Sequence, residues 1–272
     1  MNQQIFRYSF TLFLAAFLVA SMVSFSYVQG QPADSSVTAS VRAAREAGVP
    51  ETSLNRLLML AVDHRLEDDG VVRLVNFLQT VQTENLPIDP FMGKIEEGLA
   101  KQVPLNTIAA VLAQKLDDYR FVKSVLARTK TAKDQEISHQ DLNRMVGSLD
   151  AGVSREELAR FILEASTEDL SMLARATESM ALLKQIRFDE SLTEEILFTG
   201  LRRNSLTPSW DYLARVVATA KRRQISDDEI ASAAREALEM NRSFADFMAD
   251  LGFTPRDLRH GPAVGRSGRR DQ

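Results

Sequence analysis

The sequence predicts an all-α fold, built from degenerate three-helix repeats with a period of about 52 residues and stacked as an α-solenoid-like array. Three observations predict it. Apolar residues recur at helical spacing along most of the chain. A corner pattern, an apolar residue followed by Pro, Ser or Thr at the head of an amphipathic run, occurs nine times. Those corners form two interleaved series that share one period.

The elements follow in chain order. Within residues 1–30 the only charged side chain is Arg7, which precedes an apolar or small run from Phe10 to Val28. A basic start, an apolar stretch and small residues at Val28 and Gly30 form the layout of an export signal, with cleavage expected after Gly30. The run approaches the ~20 residues of a membrane-spanning helix. An uncleaved anchor to the inner membrane at residues 8–28 is therefore the alternative, although Ser9, Ser21, Ser24 and Ser26 dilute it. Residues 31–36 read as a linker, 37–258 as the helical repeat domain and 259–272, rich in Gly and Arg, as a disordered tail. The expected location is periplasmic or secreted.

Composition narrows the function classes. The chain has no cysteine, which excludes a lipid-anchoring cysteine, a disulfide scaffold, thiol catalysis and thiolate metal sites. Without residues 1–30, 242 residues remain, and loss of Arg7 takes the formal charge from −4 to −5. That mildly acidic, mixed balance offers no general attraction to nucleic acid or to anionic lipid.

The corners are Val37-Thr38, Val49-Pro50, Leu86-Pro87, Val103-Pro104, Ile137-Ser138, Val153-Ser154, Leu192-Thr193, Leu206-Thr207 and Ile225-Ser226. In most of them another apolar residue stands five positions on, as in Val49 and Leu54, Leu86 and Phe91, or Val153 and Leu158. That spacing resembles a hydrophobic staple. Val37, Leu86, Ile137 and Leu192 step by 49, 51 and 55 residues; Val49, Val103, Val153 and Leu206 step by 54, 50 and 53. Each repeat is expected to hold a short helix and then two longer ones. Leu142, Met145, Val146 and Leu149 keep helical spacing, as do Leu158, Phe161, Ile162 and Ala165. Asp69-Gly70 before a β-branched run is a hairpin signal, but Val71, Leu74, Val75, Leu78 and Val81 keep helical spacing and predict a helix. After Ile225 one helix is expected to about Met240, a shorter one over Phe244 to Leu251 and a last turn over Phe253 to Leu258.

Each candidate site is weighed against a structural reading. LDAGVSREELARFI, residues 149–162, resembles the turn of a DNA-binding helix-turn-helix. The positions that would read DNA carry Glu156 and Glu157, where phosphate needs cations, so a helix corner explains it better. Asp63, His64, Glu67, Asp68 and Asp69 lack the alternating ligands of a calcium loop, and no two histidines share a helical face. No metal or cofactor is expected. Trp210, with Leu213, Val217 and Ala220 at helical intervals, reads as core. Arg202, Arg203, Arg215, Lys221, Arg222 and Arg223 form a candidate partner-binding basic patch; the structural alternative is cations set against helix C-termini.

The functional expectation is a non-enzymatic scaffold of the cell envelope that binds a protein or peptide, because stacked helices expose extended curved surfaces. The alternative is an enzyme acting on peptidoglycan through a helix-borne carboxylate, with Glu97 and Glu164 as the conceivable acids.

Overall fold

The computed structural model describes residues 36–129, 137–165, 167, 169–254 and 256. The export signal or anchor, the linker up to residue 35 and the tail over 259–272 lie outside the described residues, as does most of the expected last turn after Phe253. Ser36, assigned to the linker from sequence, instead caps the first helix: its side chain accepts from the Ala39 amide.

Among the described residues the chain is all-helical. The twelve α-helices are α1 (Val37–Glu46), α2 (Glu51–Asp63), α3 (Asp68–Thr83), α4 (Asp89–Ala100), α5 (Leu105–Leu126), α6 (His139–Asp150), α7 (Arg155–Glu164), α8 (Leu170–Gln185), α9 (Glu190–Arg203), α10 (Leu213–Arg222), α11 (Asp227–Glu239) and α12 (Phe244–Asp250). A 3-10 turn at Pro208–Tyr212 leads into α10. No helix among the described residues is long and apolar enough to cross a membrane. Asp69 and Gly70 lie in the first turn of α3, so the run after them is helix and not hairpin.

The helices meet in a regular order. Principal contacts join α1 to α3, α2 to α4, α3 to α5, α5 to α7, α6 to α8, α8 to α10 and α9 to α11, in addition to sequential neighbours. Most helices therefore pack against the next helix but one, and several against their successor as well. One continuous apolar core results, running from Val41 to Phe253.

One backbone device ends nearly every helix. Gly48, Arg65, Asn85, Gln102, Gly152, Arg187, Asn204, Gln224, Asn241 and Gly252 all have left-handed φ between 51° and 98°. After each, the next amide donates to a carbonyl five residues back at 2.7 to 3.1 Å, as Val49 does to Ala44 and Ile225 to Ala220. This is the Schellman turn, in which the residue after the left-handed position packs back on the helix just ended. Asn, Gln and Arg accept the conformation at about 1 kcal/mol each relative to glycine. Their recurrence shows that the corner geometry outweighs residue preference.

The left-handed positions step by 17, 20 and 17 residues from Gly48 through Arg65 and Asn85 to Gln102. The same steps of 17, 20 and 17 recur from Arg187 through Asn204 and Gln224 to Asn241. These corners leave the three-helix unit of about 52 residues without confirmation along the whole chain. Residues 49–102 hold α2, α3 and α4, whereas 103–152 hold α5, of 22 residues, and α6 among the described residues.

Two corner assignments also move. Thr38 and Thr193 lie inside α1 and α9, whose caps are Ser36 and Asp189. Asp189 Oδ1 accepts from the Leu192 amide at 3.0 Å. A search confined to Pro, Ser and Thr overlooks aspartate, which caps as well as serine.

Candidate functional site

A cleft of about 810 Å³ opens between the start of α2, the turn from α3 to α4, and one face each of α6 and α8. Pro50, Thr52 and Ser53 form one wall; Gln82, Leu86, Pro87, Ile88 and Asp89 form the next. Across from them α6 presents His139, Gln140, Asn143, Arg144, Gly147, Ser148 and Ala151, and α8 adds Glu178, Ala181 and Leu182. Its size falls within the range of ligand sites, roughly 300 to 1,000 Å³.

Helical periodicity places the α6 stripe. Leu142, Met145 and Val146 point into the core, so the positions between them, Gln140, Asn143, Arg144 and Gly147, turn the other way. Asn143 is held from behind. The Tyr119 hydroxyl on α5 donates to its Oδ1 at 2.5 Å, and burial pushes the phenol above its ordinary pKa, so it stays a donor. The amide nitrogen of Asn143 makes no hydrogen bond among the described residues.

The charges of the cleft are matched internally. Arg144 Nε lies 3.5 Å from Glu178 Oε2, and its Nη2 donates to Asp211 Oδ2 at 3.3 Å. Arg175 Nε sits 2.9 Å from Asp211 Oδ1 at an angle outside hydrogen-bond geometry, so that contact is electrostatic, while its Nη1 donates to the Leu206 carbonyl at 2.8 Å. This network ties α6 and α8 to the 3-10 turn and stiffens the floor of the cleft. Among the described residues no Phe, Tyr or Trp lines it.

The basic residues singled out from sequence are not gathered into one patch. Arg202 and Arg203 end α9, while Lys221 donates to the Arg187 carbonyl just before α9 begins. Since α9 has 14 residues and is therefore about 21 Å long, the two groups stand at opposite ends of it. Lys221 also pairs with Asp227 at 2.8 Å, Arg222 donates to Thr219 Oγ1 at 3.0 Å and Arg202 to Thr199 Oγ1 at 3.2 Å. The Arg223 guanidinium covers the Phe253 ring at 4.4 Å. Arg215 is exposed on α10.

The carboxylates are equally committed. Glu97 accepts from Lys94 and Lys101, which hold its pKa down at about 2; a general acid needs the opposite shift. Glu164 is exposed and lies 3.5 Å from Arg160. Glu157, at the start of the suspected recognition helix, completes a capping box with Ser154 and is gripped by Lys184 of α8 at 2.6 Å. Trp210 is buried against Phe244 and Phe247, as core. Among the described residues no three of His, Cys, Asp and Glu gather closely enough to hold a metal ion.

Sequence reading passed over the α6 stripe because a polar helix face looks the same whether it meets bulk water or a cleft. The available signal was Gly147, an isolated glycine in the middle of an otherwise regular helical run. No protein-family model, curated protein or solved structure matches this chain.

Proposed function

We propose that this chain is an exported, non-enzymatic scaffold in which two-helix units of 37 residues stack as an α-solenoid-like array and hold a protein or peptide segment in the cleft along α6. The period is that from Gly48 to Asn85, Arg65 to Gln102, Arg187 to Gln224 and Asn204 to Asn241. Polar contacts between stacked units support it through their sequence separations of 33 to 40 residues, as in Arg73 with Asn106, Lys115 with Asp150, Arg155 with Asp118 and Lys221 with the Arg187 carbonyl. Export is carried by the layout of residues 1–30.

The cleft is the observation that carries the binding reading. It is large, lies between helices contributed by separate units, and presents neutral donors and acceptors while its Arg144 is paired with Glu178 and Asp211. The partner belongs in the cleft and not on the basic set, because Arg202, Lys221, Arg222 and Arg223 are engaged by their own neighbours.

Crosslinking of the native chain in the envelope fraction, followed by mass spectrometry of proteins and attached glycan, tests this reading. A dominant protein crosslinked to residues of α6 or α8 supports it. Recovery of cell-wall fragments alone overturns it in favour of wall chemistry. Sequencing the purified N-terminus tests export: a start at Gln31 supports cleavage, and an intact Met1 with the chain in the cytosol overturns it.

A further inference from the structure

Resting on that peptide-binding reading, we infer that the cleft reads the main chain of an extended, uncharged polypeptide segment, which passes closest over the backbone of Gly147 and is hydrogen-bonded by Asn143. Glycine in a helix interior is disfavoured and normally reflects a close packing approach. Gly98 and Gly200 show that ordinary use: a Cβ on either would strike Ile108 or Leu206. Gly147 does not. A Cβ there meets nothing within 4 Å, and the space above it is the cleft. The missing side chain leaves room for something outside the fold.

The chemistry of the lining selects the occupant. Arg144 is shared between Glu178 and Asp211, so a charged ligand finds little unmatched counter-charge beyond the exposed Asp89. Without aromatic side chains the cleft cannot stack a sugar or a nucleobase. The neutral groups without a bonded partner among the described residues include the Thr52 and Ser53 hydroxyls, the Gln82 and Gln140 amides and the Asn143 amide nitrogen, with the His139 ring beside them. Such groups donate and accept in alternation, as a peptide main chain does. Leu182, 37 % exposed on the α8 wall, offers an apolar contact for one small side chain.

The full chain is used to select from a displayed library of random dodecapeptides, and an enriched peptide is titrated against wild type, Gly147→Leu, Gly147→Ala, Asn143→Ala and Gly93→Leu. Gly93 is a control, since it too lies within a helix with nothing within 4 Å but does not line the cleft. Expected are enriched peptides poor in charge, binding at least tenfold weaker to Gly147→Leu and Asn143→Ala, and unchanged binding to Gly93→Leu. The thermal midpoints of both Gly147 variants should equal or exceed wild type, so lost binding cannot be misfolding. Backbone N-methylation of the peptide should weaken it more than alanine replacement of its side chains. Peptides that bind Gly147→Leu and Asn143→Ala as tightly as wild type overturn this inference alone, as do peptides held through charged side chains. No enriched peptide overturns the peptide-binding reading together with it.

Discussion

Residues 48–102 and 187–241 step through their helices with the same corner spacing, yet they fill their cores differently. Aligned corner to corner, Leu57 meets Ile196, Leu74 meets Leu213, Leu78 meets Val217 and Leu99 meets Leu238, all buried. Four residues before each second corner the side chain is small in both, Ala61 in one and Gly200 in the other. The contrast lies at Val71 and Trp210. In the first segment α3 starts directly at Asp68. In the second, Pro208 directs the chain through a 3-10 turn before α10, and Trp210 occupies the place of Val71. Ala220, Ala231 and Ala234 then stand where Val81, Met92 and Ile95 stand. One large ring, packed on Phe244 and Phe247, replaces volume lost elsewhere. Core volume is thus redistributed between helices, while the corner spacing holds.

The largest test of that difference is Trp210→Ala against Val71→Ala. Deleting the indole should cost about 3 to 5 kcal/mol. Deleting two methyl groups should cost about 1.6 kcal/mol at ~0.8 per methylene. Urea unfolding of both variants checks it, and equal losses would show that the ring is not the centre of its half.

The glycines sharpen the comparison further. Gly200→Ala drives a methyl into Leu206 and should destabilise by about 1 to 3 kcal/mol, whereas Gly93→Ala meets open space and should stabilise by up to about 1 kcal/mol. Opposite shifts of the thermal midpoint are expected from the same chemical change.

At the corners, Gln102→Gly and Gln224→Gly relieve left-handed strain at one corner in each segment. Each should gain up to about 1 kcal/mol, and the two gains should agree within about 0.5. A gain at one site and a loss at the other would set the two segments apart.

The smallest effect is electrostatic. Lys184, with the Ser154 amide, holds the Glu157 carboxylate at about 2, below its ordinary value of 4.5. A depressed carboxylate pKa stabilises the fold above pH 4.5, and the contribution is lost as pH falls towards about 2. Glu157→Gln should therefore lose about 0.5 kcal/mol at pH 7, a partly exposed pair being worth little more. The gap from wild type should close on acidification; a gap that persists at pH 2 would assign the loss to the cap alone.

Helices were legible wherever apolar spacing ran unbroken, as in Val71 to Val81. Corners were legible through the apolar residue that follows most left-handed positions, because Val49, Val103, Val153 and Ile225 pack back on the helix they leave. The set of corners was only partly legible for two reasons. Asp189 and Glu67 head their helices without the Pro, Ser or Thr of the other corners, so the corners at Phe188 and Leu66 fall outside that pattern. Left-handed Arg65 and Arg187 also carry no local signature, since neither is a residue type that favours positive φ.

The all-helical character, the absence of thiol chemistry and the burial of Trp210 were determined by the sequence alone, because each follows from local spacing or from composition. Which polar face meets a cleft was decided by tertiary structure. Asn143, Gly147 and Glu178 are separated in sequence from Thr52 and Gln82, and only the way helices pack on one another brings them round one space. The basic residues show the same limit. Arg202 and Lys221 are near in sequence, yet α9 holds them apart, because the distance between helix ends is set by the turn that reverses the chain.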